Sequence, residues 1–321
     1  MRLLQFPWQT HSSGALPMFS ALSRRDFLKH SAAVTGGLLV SPALAVENAP
    51  EPLFKISLAQ WSLHRAFFGK KLDPLQFAAI AKKDYDIHAV EYVNQFYASK
   101  KKDESYLKDL KKVADDAGVR SVLIMCDGEG ALGDPNEKQR LKTVENHYRW
   151  VEWAKYLGCH SIRVNAHAGE VGSREDKAKR VVDGLSKLTE FGAKHGIGVI
   201  VENHGGLSSD GGWLSGVMKA VGNPYCGTLP DFGNFGSYDR YKGVDELMPF
   251  AKGVSAKSHD FDSAGNETHT DYHKMMALVI KKHKYHGFVG VEYEGGKMNE
   301  PEGIRATKKL LETIRMELAK A

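Results

Sequence analysis

Four stretches in the second half of the chain carry an apolar run into a residue able to hold a cation or move a proton. They read Val199-Ile200-Val201-Glu202-Asn203-His204, Thr228-Leu229-Pro230-Asp231-Phe232-Gly233-Asn234, Ala256-Lys257-Ser258-His259-Asp260 and Gly290-Val291-Glu292-Tyr293-Glu294. One carboxylate after a strand is an ordinary cap for the next helix. Three carboxylates and an imidazole gathered at one point would repel each other unless a divalent cation neutralised them. The pattern therefore predicts a metal site made by Glu202, Asp231, His259 and Glu292. Oxygen-rich donors with one nitrogen suit Mn²⁺, Mg²⁺ or Co²⁺ and also accommodate Zn²⁺.

For these residues to meet, the runs that precede them must be neighbouring strands. Eight strand-like segments recur, Phe54 to Trp61, His88 to Val93, Arg120 to Met125, Ser161 to Asn165, Gly198 to Glu202, Cys226 to Asp231, Gly253 to His259 and Phe288 to Glu292. Between them lie stretches of helical periodicity. Asp73-Pro74 opens one that runs through Ala81, while Glu104 to Ala117, Glu137 to Leu157 and Asp176 to His195 each stop at a glycine suited to a left-handed cap. Alternating strands and helices predict a parallel α/β architecture, and eight units predict a single-domain (β/α)8 barrel. In such a barrel the reactive groups project from the C-terminal ends of the strands. A doubly wound nucleotide-binding sheet is excluded as the better reading, because the first strand runs into Gln60-Trp61-Ser62-Leu63-His64 without a glycine-rich phosphate loop.

The N-terminus reads as an address. Ser23-Arg24-Arg25-Asp26-Phe27-Leu28-Lys29, a short apolar run and Ala43-Leu44-Ala45 form a twin-arginine export signal over residues 1–45, with Met18 as an alternative start that would leave 1–17 untranslated. Residues 46–53 form a linker and 54–321 the barrel. The expected location is periplasmic or otherwise exported, with the twin-arginine machinery as a partner, and the apolar run is too short for a stable membrane anchor. Of the +5 formal charge, residues 1–45 supply +3 (Arg2, Arg24, Arg25 and Lys29 against Asp26), which leaves too little to argue for nucleic acid. Cys126, Cys159 and Cys226 are too few and too widely spaced for a disulfide framework and read as buried thiols.

The order of these motifs, ENH after the fifth strand, DFGN after the sixth and GVEYEG at the eighth, resembles the xylose isomerase-like barrel superfamily, in particular members related to ketose 3-epimerases. The resemblance implies one divalent ion on Glu202, Asp231, His259 and Glu292, with Glu202 and Glu292 also acting as an acid/base pair on a sugar or keto-glycoside. Two departures stand out: Asn234 occupies a position where the epimerases commonly place a histidine, and no arginine follows His259 closely. His204, Lys257, Asn234, Glu91, Asn165, His167 and Trp61 are the candidates for contact with the substrate, with Gln60, Phe96 and Trp213 behind them. The implied chemistry is isomerisation or epimerisation by proton transfer next to a carbonyl through an enediolate. The same enediolate expelling a leaving group would make a 3-keto-glycoside lyase. An exported sugar-binding barrel without catalysis is the non-enzyme alternative, and self-association is left open. An abasic-site endonuclease on this fold is disfavoured by Asn234 and by the near-neutral mature charge.

Overall fold

The computed structural model describes residues 51–320, so the twin-arginine segment and residues 46–50 of the linker lie outside the described residues. Its strands are β1 (Lys55–Ala59), β2 (Ala89–Val93), β3 (Arg120–Met125), β4 (Ser161–Asn165), β5 (Gly198–Glu202), β6 (Cys226–Leu229), β7 (Val254–Ser258) and β8 (Phe288–Tyr293). They form one parallel sheet in the order β6-β5-β4-β3-β2-β1-β8-β7, with helices in the connections. Isolated parallel bridges, Thr228 to Ala251 and Asp231 to Ser255, join its two edges. This is a (β/α)8 barrel. The β6–β7 edge is irregular because Pro230 has no N–H to give to the ladder, although its carbonyl still accepts from Ser255 N at 2.9 Å.

Parallel strands covered on both faces read as nearly continuous apolar runs, and here β2, β5, β6 and β7 are buried throughout. One side of each strand packs against the helices, with Trp150, Trp153, Phe54 and Phe77 among the large side chains between them. The other side fills the barrel, where Ala59, Val93, Leu123, Met125, Ile200 and Leu229 share a cluster. Register fixes which polar residues join that interior. Asn165 pairs with Glu202 and Lys257 with Glu292, so the side chains of each pair emerge at matching levels.

Several boundaries differ from the sequence expectation for local reasons. β1 stops at Ala59 because the chain turns into a 3₁₀ helix, Gln60–Leu63, where Gln60 Oε1 accepts from Val93 N and Ser62 Oγ donates to the Val291 carbonyl. Pro74 starts a 3₁₀ turn before the helix Phe77–Tyr85. The helix expected from Asp176 begins at Arg174, because Ser173 and Asp176 form a reciprocal capping box. Gly118 and Gly158 take the left-handed caps, at φ 64° and 82°. All three cysteines are buried and free. Among the described residues, no helix is long and apolar enough to cross a membrane.

Candidate active site

Glu202 closes β5, Asp231 follows β6 by two residues and Glu292 is the fifth residue of β8. The barrel brings all three together, and each is buried. Arg163, in the middle of β4, reaches across with Nε 2.8 Å from Glu202 Oε2, an ion pair not aligned as a hydrogen bond, and Nη1 2.7 Å from Asp127 Oδ1. Lys257 Nζ donates to Glu292 Oε1 at 2.9 Å and lies 3.8 Å from Asp231 Oδ2 and 3.3 Å from Glu294 Oε1. Ser255 Oγ is 2.7 Å from Asp231 Oδ2 and 3.0 Å from Glu292 Oε2. Asn234 Nδ2 donates to Glu202 Oε1 at 2.9 Å, while the Gly233 and Asn234 N–H groups both donate to Asp231 Oδ1 at 2.8 Å.

His259 is placed elsewhere. β7 ends at Ser258, and beyond it the His259 N–H donates to Glu267 Oε1 while its ring stacks on His269 with centroids 5.1 Å apart. The strand residues that reach the three carboxylates from β7 are Ser255 and Lys257. Donor atoms of His259, Glu267 and His269 lie within 4.8 Å of one another, a group that could hold a metal ion. The expected quartet is different. Both oxygens of Asp231 and of Glu292 and Oε1 of Glu202 already face a hydrogen-bond partner belonging to the chain, Glu202 Oε2 lies against the Arg163 cation without an aligned hydrogen bond, and the ammonium of Lys257 stands among them. Arranged in this way, those three residues and His259 do not fit a divalent ion.

Burial separates the charge states of the cluster. It pushes the Glu202 and Asp231 carboxyls up to about 7, against the opposing pull of Arg163 on the first and Lys257 on the second. Burial acts on Glu292 in the same sense, but the charge and hydrogen bond of Lys257 overcome it and hold Glu292 below the ordinary glutamate range. For Lys257, the surrounding Asp231 and Glu292 outweigh burial and keep the ammonium charged. Burial likewise opposes ionisation of Asp127, but Arg163 and Asn165 bring it down to about 2.

A cavity of about 480 Å³ opens beside this cluster, within the usual range for a small-molecule site. Glu292, Arg163, Asn165, His167, His204 and Trp61 border it. Glu202 does not, lying fully buried behind Arg163 and Asn234. Burial lowers the pKa of His204 and His167, which favours neutral imidazoles. A second cavity of about 520 Å³ adjoins the first through His167 and is walled by Gly205, Gly206, Glu170 and Lys177. Trp61 is held by a hydrogen bond from its indole N–H to Glu294.

The remaining candidates have structural partners. Glu91, inside β2, accepts from Ser57 Oγ at 2.5 Å, and burial pushes its carboxyl up to about 8. Gln60 bonds Tyr97 and the β2 backbone, Phe96 packs near Trp61, and Trp213 donates to the Arg174 carbonyl, away from the cavity. Asp271 caps the helix Tyr272–Ala277. Sequence reasoning missed Arg163, Ser255, Asp127 and Glu129. Arg163 carried a usable signal, a charge set between Ile162 and Val164 of a buried strand. Asp127 and Glu129 follow β3 and border the cavity, so the strand-end rule applied to β3 finds them.

The fold has many solved counterparts. A 3-keto-D-glucoside 4-epimerase, YcjR, from E. coli superposes with a TM-score of 0.64 at 17% identity, over 81% of this chain and 99% of that one. A D-tagatose 3-epimerase-like protein gives 0.65 at 18%, over 83% and 100%. The IOLI protein, described with a binding zinc atom, gives 0.66 at 14%, over 82% and 99%. No curated protein matches the chain. Residues 77–314 match the xylose isomerase-like TIM barrel family, and with its eight parallel strands and the strand-end carboxylates in place, the chain belongs to that family.

Proposed function

We propose that this protein is a sugar isomerase- or epimerase-type enzyme that moves a proton next to the carbonyl of a sugar or keto-glycoside. The observation that carries this reading is the shared cavity wall of Glu292 and Arg163, which puts an ionised carboxylate and a permanent cation before the same ligand. Glu292, its charge secured by Lys257, removes a proton beside the carbonyl. The electron pair moves onto the carbonyl oxygen, and the resulting enediolate oxygen is met by the Arg163 guanidinium. Glu202, the second member of the pair, begins the cycle protonated, its carboxyl raised to about 7 by burial; turning Arg163 from it onto that oxygen uncovers it, and it gives its proton to carbon while Glu292 keeps the one it removed. Return to the opposite face of the same carbon is epimerisation, and delivery to the neighbouring carbon is isomerisation.

A second reading, a lyase acting on a 3-keto-glycoside, is supported by the two cavities that meet at His167, since together they offer room for a sugar and its aglycone. The substrate printed for the E. coli neighbour, a 3-keto-D-glucoside, belongs to that class. Export through a twin-arginine signal, which we propose on the sequence alone, would bring the enzyme to extracytoplasmic glycosides.

The test is a panel of ketoses and 3-keto-glycosides incubated in heavy water. The wild type should wash deuterium into a carbon beside the carbonyl, and Glu292→Gln should slow that exchange by about a hundredfold or more. Loss of the aglycone selects the lyase. Binding with neither exchange nor turnover on any member would leave a sugar-binding barrel and refute the enzymatic reading.

A further inference from the structure

We infer that Lys257 is the built-in cation of the barrel mouth, standing with Arg163 where a divalent ion would otherwise neutralise the strand-end carboxylates, so that this pocket works without a metal ion. The inference rests on the reading above for its functional meaning, while the cation itself can be tested without any substrate.

The argument is one of valence and position. An ion needs lone pairs pointing at it, and here five of the six carboxylate oxygens are turned towards a hydrogen-bond partner in the chain, while the sixth, Glu202 Oε2, lies against the Arg163 cation without an aligned hydrogen bond. Asp231 Oδ1 takes two backbone N–H groups, Asp231 Oδ2 and Glu292 Oε2 face Ser255, Glu292 Oε1 takes Lys257, and the two oxygens of Glu202 face Asn234 and Arg163. β7 sends two inward residues to this level, and neither is a ligand of the expected kind: Ser255 is a neutral hydroxyl and Lys257 a cation that competes with any metal. The imidazole expected from β7 lies past the end of the strand, engaged with His269 and Glu267. Lys257 is only 3% exposed and makes its contacts with Glu292, Asp231 and Glu294 alone, so its charge is committed to this cluster. Register makes the substitution exact in height, because Lys257 pairs directly with Glu292 across the β7–β8 ladder. A lysine fixed in this way is a positioning residue: it holds Glu292 ionised and leaves contact with the substrate to Glu292 and Arg163.

The experiment measures metal on the full chain, with activity as a separate readout. Protein stripped with a chelator is titrated with Mn²⁺ and followed by electron paramagnetic resonance, alongside Asp231→Asn, His269→Ala, Lys257→Gln and the double variant Lys257→Gln/Asp231→Asn. The expected result is no bound Mn²⁺ in the wild type that depends on Asp231. Lys257→Gln should gain a site at least tenfold tighter than any in the wild type, and the double variant should lose it. An ion that persists in Asp231→Asn and disappears in His269→Ala sits on the His259, Glu267 and His269 group and upholds the inference. One equivalent bound by the wild type and lost in Asp231→Asn overturns it, a comparison that stands even where Lys257→Gln fails to fold. If turnover is found, it should survive chelation. Absence of turnover together with an empty mouth would sink the proposed enzyme while leaving the built-in cation intact.

Discussion

Asp231 and Glu292 share a single hydroxyl, that of Ser255, at 2.7 Å from one carboxyl and 3.0 Å from the other. A serine has one hydrogen to donate, so both contacts are hydrogen bonds only when one of the carboxyls carries a proton of its own. Lys257 bonds Glu292, which makes Asp231 the protonated partner, in line with the opposite displacements of their pKa values. Four side chains, Asp231, Ser255, Lys257 and Glu292, thus divide one proton and one positive charge between them.

Removing that hydroxyl should be felt in the fold. Ser255→Ala removes the hydroxyl that links two buried carboxyls and is expected to cost about 1–3 kcal/mol in urea unfolding. Stability equal to the wild type would mean that water replaces the hydroxyl without loss.

Arg163 holds Asp127 through Nη1 while its Nε faces Glu202, a division of contacts that a lysine cannot copy. On any substrate the wild type accepts, Arg163→Lys should lower kcat by about a hundredfold and change KM less, because the guanidinium meets charge that develops only during reaction. An unchanged kcat would remove Arg163 from the mechanism.

Glu91 gives a pH signature. Its carboxyl is raised to about 8 by burial in the folded chain, whereas an unfolded glutamate titrates near 4.3. Between these values the folded state holds the extra proton, so this group favours folding fully below about 4.3 and loses that contribution as pH rises through 8. Glu91→Gln removes the titration. Its stability relative to the wild type should therefore improve from pH 5 to pH 8, by about 2–4 kcal/mol in paired denaturation curves. A constant difference across that range would show Glu91 to be ionised inside the barrel.

The loop after β8 offers a matched pair. A Cβ on Gly295 would fall 1.7 Å from the His259 carbonyl oxygen, while one on Gly296 would meet nothing within 4 Å. Gly295→Ala should destabilise by about 1–3 kcal/mol as the loop is forced off His259, and Gly296→Ala should stay within about 0.5 kcal/mol of the wild type. Thermal melts of the two variants compare them directly, and equal melting points would contradict the close approach.

The architecture was legible because its signals are local. Glycines at 118 and 158 end helices, and buried parallel strands announce themselves as apolar runs. Glu202, Asp231 and Glu292 were legible because the strand-end rule holds in a barrel. His259 misled for a physical reason: it has the same parity as Ser255 and Lys257 and would share their face only if β7 ran one residue further, but the strand ends at Ser258. Arg163 was passed over because it sits inside its strand, not at the end. No spacing rule reveals that its guanidinium crosses from β4 to the end of β5.

The seam between β6 and β7 adds something about motion. It is stitched by isolated bridges where the other neighbouring strands pair through ladders, and one of those stitches joins Asp231 to Ser255. Amide protons along it should exchange with solvent sooner than those of β4 and β5. The barrel is therefore most easily unzipped at the wall that carries Asp231 and Ser255, and a ligand gripping both edges would act as a clasp.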